Sequence, residues 1–124
     1  RYYAIVESYH KTKRKKNMEK KDGIFEEYHD NGQLRLKETW KDGKKEGVSE
    51  YYHEDGQLAG KGTWKDGKKD GIFEEYYDNG QLAGKGRCKD GKKDGVSEDY
   101  DEDGQLWRKR TYKDGKLIEK EYTN

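Results

Sequence analysis

The chain has no proline, one cysteine and no long run of apolar residues, and each absence removes a class of protein. A lone cysteine, Cys88, can form neither an internal disulfide nor a cysteine zinc cluster. No stretch approaches the ~20 apolar residues of a membrane-spanning helix, and no signal peptide is visible. The compartment stays open, since the sequence begins at Arg1 rather than methionine. Hydrophobic residues are scarce too, at 27% against 44% charged, which is too lean for an ordinary two-layer core. Charge of one sign is also missing: a formal net charge of +1 sets up no global field toward nucleic acid or an anionic membrane. Nucleic acid is therefore not an expected partner. Any such binding has to be local, and the one local excess is the basic stretch holding Lys13, Arg14, Lys15 and Lys16. It reads as a solvated linker or lysine-protected edge, or as a phosphate-binding arm.

Few apolar residues and many charges would suit a disordered chain. What the sequence does contain argues otherwise. It has 11 tyrosines, 3 tryptophans and 16 glycines, and the glycines are periodic. Gly23, Gly47, Gly71 and Gly95 are 24 residues apart, as are Gly32, Gly56, Gly80 and Gly104, and Gly43, Gly67, Gly91 and Gly115. The same step links Ile24, Val48, Ile72 and Val96; Glu26, Glu50, Glu74 and Glu98; Tyr28, Tyr52, Tyr76 and Tyr100; Leu34, Leu58, Leu82 and Leu106; and Trp40, Trp64, Cys88 and Tyr112. A period of 48 lies on top, because units one and three begin Gly-Ile-Phe-Glu-Glu-Tyr and units two and four Gly-Val-Ser-Glu. Fixed-step self-similarity is the mark of a repeat protein.

Each unit holds two turn signals, Asp30-Asn31-Gly32 and Lys41-Asp42-Gly43 in the first, separated by segments of strand length. The expected fold is all-β: an elongated single-layer antiparallel sheet of tandem 24-residue β-hairpin repeats, curved toward its aromatic face. Residues 1–19 read as an N-terminal strand, basic lead-in or partial repeat, residues 20–118 as four repeats starting near 23, 47, 71 and 95, and residues 119–124 as a capping strand. With three-residue loops at both turns, Ile24, Tyr28, Leu34, Leu36 and Trp40 project to one side, together with the strand glycines Gly60, Gly62, Gly84 and Gly86. The opposite side is then mostly polar. A one-residue slip would send every side chain to the other face.

These motifs carry a resemblance. The recurring Gly-Lys-Lys-Asp/Glu-Gly, the tyrosine, and Asp/Glu-Asn/Asp-Gly-Gln-Leu over residues 20 to 118 resemble the MORN-repeat variant of bacterial proteins, including those named YwqK-type antitoxins. The resemblance implies an elongated scaffold for protein contacts, in some members an antitoxin, with lipid-headgroup binding proposed for MORN proteins generally. Such sequences often carry tryptophan two residues after the first glycine, where this chain has Phe25, Ser49, Phe73 and Ser97, and Cys88 stands in the aromatic slot of unit three. No nucleotide-binding glycine loop precedes a helix, so kinase chemistry is not expected.

Among candidate sites, the glutamates of the Glu26 column recur about 9.6 Å apart on the usual strand spacing, a separation that inverting glycosidases use but that any repeated residue would show. Pairing with lysines of intervening strands is the expected role. Asp99, Asp101, Asp103 and Gly104 imitate the start of an EF-hand loop, yet Arg110 stands where the bidentate glutamate belongs. His29 and His53 are too far apart to close on one metal and read as surface residues. No metal site and no cofactor is expected. The aromatic face of Tyr28, Tyr52, Tyr76, Tyr100, Trp40, Trp64, Leu58 and Leu82 is either core or a groove for a protein ligand, because exposing all of it would leave an apolar patch larger than monomers tolerate. The functional expectation is a non-enzymatic scaffold binding a protein partner, with self-association through open sheet ends also in view. The alternative is a peripheral binder of lipid headgroups through basic turns such as Lys44, Lys45, Lys68 and Lys69.

Overall fold

A computed structural model, which describes residues 22–123, shows one open antiparallel sheet. Lys13, Arg14, Lys15 and Lys16, and with them the whole lead-in 1–19, lie outside the described residues. Each of the first three units contributes a six-residue strand, an eight-residue strand and a two-residue extension, and in the fourth the extension is a seven-residue strand. These are β1 (Gly23–Tyr28), β2 (Leu34–Lys41) and β3 (Lys44–Lys45), then β4 (Gly47–Tyr52), β5 (Leu58–Lys65) and β6 (Lys68–Lys69). Units three and four give β7 (Gly71–Tyr76), β8 (Leu82–Lys89), β9 (Lys92–Lys93), β10 (Gly95–Tyr100) and β11 (Leu106–Lys113), and β12 (Lys116–Tyr122) ends the sheet. The long strands run in sequence order from β1 to β12, with β3, β6 and β9 paired to β2, β5 and β8. Neighbouring strands follow one another directly in the chain, so short turns suffice.

The two turns of a unit differ. The first is the expected three-residue loop: His29 N–H donates to the Gln33 carbonyl at 2.8 Å, Asn31 Oδ1 accepts from Gln33 N–H at 2.9 Å, and Gly32 has φ 92°, a region that favours glycine. The second was expected to be the same and is not. Lys41 pairs directly with Lys44, leaving a two-residue loop in which Asp42 (φ 49°) and Gly43 (φ 79°) are both left-handed. Asp-Gly suits this mirror-image turn, whose twist matches that of the flanking strands. A carboxylate from the preceding unit steadies it; Asp66 N–H donates to Glu46 Oε1 at 2.9 Å.

A bulge corrects the face assignment. Tyr28 lies opposite Leu34 as expected, but Glu27 pairs with Leu36, so Arg35 is an extra residue and the register slips by one. The same shift recurs in every unit. Ile24 therefore faces Thr39 rather than sharing a side with Trp40. The expected aromatic face is split between the two sides of the sheet.

The outer face is regular. Its middle row alternates in charge across the whole sheet: Glu26, Lys37, Glu50, Lys61, Glu74, Lys85, Glu98, Lys109 and Glu121 are successive cross-strand partners. Opposite charges directly across strands stabilise by a few tenths to ~1 kcal/mol each. Beside it run the tyrosine–leucine pairs and an exposed row of Ile24 (61%), Val48, Ile72 and Val96. Burial belongs to the other side. Glu38, Ser49, Ser97 and Cys88 are buried there, as are Gly60 and Gly62.

Candidate functional site: the inner face

One row of residues crosses the inner face at mid-height. In strand order it reads Phe25, Glu38, Ser49, Gly62, Phe73, Gly86, Ser97 and Arg110, from the pairings of each hairpin and the contacts between hairpins. Phe73 stands between two glycines, Gly62 and Gly86, which leave its ring a neighbour to lie over. A Cβ built on Gly62 would stand 2.1 Å from the Phe73 ring, so only glycine permits that ring position. Phe73 in turn meets Trp64 edge-on, with centroids 6.0 Å apart and planes at 79°, a favourable aromatic geometry. The 48-residue period thus has a packing cause in unit three, where phenylalanine lies over a glycine. Serine stands in its place in the even units, beside Glu38 or Gly86.

Unit one closes its part of this face with charge. Glu38, only 5% exposed, accepts from Trp40 Nε1 at 2.7 Å and pairs with Lys45 Nζ at 3.0 Å. A buried carboxylate demands such partners. Lys45 also lies 4.4 Å above the Trp64 ring. Units two and three carry Gly62 and Gly86 at the equivalent position, and the consequence is a set of donors without an acceptor. Trp64 Nε1 is shielded from solvent and has no hydrogen-bond partner. Lys69 and Lys93 rest over Phe73 and Tyr112 at 5.2 and 4.9 Å, with no carboxylate in ion-pair reach among the described residues. The Ser49 hydroxyl is likewise buried and unpartnered.

Between these groups lies an open groove of about 670 Å³, floored by Gly84, Gly86, Ser97 and Cys88 and walled by Phe73, Trp64 and Arg110. Its far side is fixed by Asp99, which accepts from Arg108 Nε at 2.8 Å and Arg110 Nη2 at 3.1 Å. The hydrogen bond to Asp99 is the main cause that raises the Arg108 pKa. Beyond it Trp107 stacks on Tyr122, centroids 6.3 Å apart.

The structure brings together Trp40 and Trp64 from the expected set and places Tyr28, Tyr52, Tyr76, Tyr100, Leu58 and Leu82 on the opposite face. There each tyrosine hydroxyl donates to the glutamate two residues earlier, Tyr52 to Glu50 at 2.9 Å for example. Burial, followed by the hydrogen bond and charge of the glutamate, raises the pKa of Tyr52 and Tyr76. For Tyr100 the Glu98 bond is the larger cause. The sequence reading put Phe25, Phe73 and Tyr51 on the polar side, whereas the register places them on the inner face. The signal was present in the Phe/Ser alternation and in Asp-Gly as a two-residue turn. The histidines prove to be rungs between units rather than plain surface residues: the rings of His29 and His53 hydrogen-bond the Tyr52 and Tyr76 carbonyls at 2.8 and 3.1 Å, and Tyr77 takes over with Tyr100 at 2.6 Å. Among the would-be calcium ligands, Asp99 is engaged by arginines and Asp101 Oδ1 accepts from the Asp103 and Gln105 amides.

A family model described as MORN repeat variant matches residues 21–42, 45–66, 69–88 and 93–114. Repeats of this kind are non-catalytic and generally take part in protein or membrane interactions. No curated protein matches the chain. Two solved structures are similar at a TM-score of 0.46 and 12% identity, one of TarM and one of an S. aureus TarM mutant in complex with fondaparinux, α-GlcNAc-glycerol and UDP. Each match covers 87% of this chain, which spans 23% of theirs, and a likeness that slight carries no argument about function.

Proposed function

The chain belongs to the MORN repeat variant family, and on that premise we propose that it is a non-enzymatic scaffold that binds a protein partner across the inner face of its sheet. One observation carries the reading: the inner face is where units differ, with Trp64 and Phe73 beside a groove floored by glycine, serine and cysteine. Rigid aromatics next to an open, partly desolvated floor are what protein interfaces use as anchors. An antitoxin or immunity role, with a toxin as the partner, is the refinement that the resemblance to YwqK-type proteins suggests.

A second reading rests on the edge formed by the Asp-Gly turns, where Lys68, Lys89, Lys92 and Lys113 gather. A lipid headgroup would fit there, although Asp90, Asp94 and Asp114 share the same edge and offset much of its charge. Affinity capture with the whole chain as bait separates the two. A protein recovered in both low and high salt, lost with Trp64→Ala and kept with the outer-face variant Tyr52→Ala, supports the scaffold. Recovery of anionic lipid alone, abolished by salt, would move the function to the turns.

A further inference from the structure

Unit one contains a filled version of what units two and three leave empty. There a single carboxylate, Glu38, satisfies a tryptophan N–H and a lysine together. Trp64 and Lys69 occupy the same paired positions one unit on, and Lys93 the same position two units on, but glycine replaces the acid in both. The chain thus holds repeated cation positions from which the internal anion has been removed, next to an open groove. Resting on the scaffold reading, we infer that this groove takes an acidic peptide of the partner protein in the polyproline II conformation, whose carboxylates sit three residues apart, one at Lys69 and the next at Lys93.

The spacing follows from the fold. Equivalent residues of successive units lie two strands apart, about 9.6 Å at the backbone, and a peptide in the polyproline II conformation has three residues per turn at ~3.1 Å each, so every third side chain faces the same way and one turn of ~9.3 Å covers one unit. A peptide crossing the strands would therefore present an acidic side chain to each lysine in turn, over the flat floor of Gly84 and Gly86. Lys45 is excluded from the pattern because Glu38 already holds it. The ring beneath each free ammonium, Phe73 or Tyr112, holds the cation at the groove wall without neutralising it. Charge complementarity also argues against a polyanion. Glu75 and Asp99 line the same groove, so evenly spaced phosphates would meet repulsion between the lysines, whereas a peptide with uncharged residues at those points would not.

The test uses the whole chain labelled with 15N and terminally blocked peptides of Asp, Ser and Gly, one with Asp at every third position and one of equal composition with Asp at every second. The three tryptophan indole N–H signals, assigned with Trp64→Phe, are the readout. The expected result is that the third-position peptide moves the Trp64 signal and leaves Trp40, already bonded to Glu38, in place; that it binds at least ~10-fold tighter than the respaced peptide; and that the double variant Lys69→Gln, Lys93→Gln binds ~10-fold weaker with an unchanged urea midpoint. Equal binding of both spacings, or no effect of the double variant, overturns the inference. So does a stronger Trp64 response to phosphatidylserine vesicles, which would assign the cations to lipid. If Trp64 ignores every peptide while a captured protein still depends on it, the scaffold reading survives and only the carboxylate spacing fails.

Discussion

The two faces of this sheet obey different rules. Outside, every unit repeats the same rows, a charge ladder, a tyrosine–leucine row and a row dominated by β-branched residues, and the ladder continues through Glu121 in the last strand. Inside, no row repeats cleanly: the position of Glu38 becomes Gly62, Gly86 and Arg110, and that of Trp40 becomes Trp64, Cys88 and Tyr112. Repetition on one face and variation on the other separates what holds the array together from what gives it a specific surface. In a repeat protein each unit contacts only its neighbours, so a row that serves cohesion can be identical everywhere. A row that does not serve cohesion is free to vary.

That contrast can be broken most forcefully at Gly62. Replacing it by valine puts a side chain into the space of the Phe73 ring, and overpacking of this kind costs ~3 kcal/mol; urea denaturation should show a clear loss of midpoint, and an unchanged midpoint would mean that Phe73 does not lie over that strand. The outer face should respond less. Lys61→Glu sets like charges against both Glu50 and Glu74, for a loss of ~1 kcal/mol that shrinks in 1 M salt as screening rises. A loss that ignores salt would show that the ladder acts through packing instead.

The smallest effect belongs to alkaline pH. Folding raises the pKa of Tyr52, Tyr76 and Tyr100 above the ordinary value of 10.0, so the protonated phenols contribute stability that is complete below that value. It is lost as pH rises through the raised pKa, because the unfolded chain then ionises first. The guanidine midpoint should fall above about pH 10, and the triple variant to phenylalanine should flatten that fall while leaving inner-face binding intact.

Much of this was readable from periodicity alone. Three glycine columns at one step, paired turn signals and strand-length spacers are enough for a tandem hairpin sheet, because turns and strand lengths are local properties. Tyr28 opposite Leu34 was also within reach, since the three-residue loop sets it directly. The faces were not. Arg35 is an inserted residue that no local pattern marks, and one extra residue in a strand inverts every side chain beyond it; a three-residue turn at Asp42-Gly43 would have kept the hydrophobic columns on one face, whereas the actual two-residue turn follows a strand that has already switched sides. Whether Trp64 has an acceptor, which lysines lack a carboxylate and which glycine lies under a ring depend on neighbours 24 or more residues away, or on the next strand over. The amino-acid order determined the repeat, its length and its turns; only the folded sheet, by adding a bulge to each hairpin and laying strands side by side, decided which residues share a surface and therefore where a partner can bind.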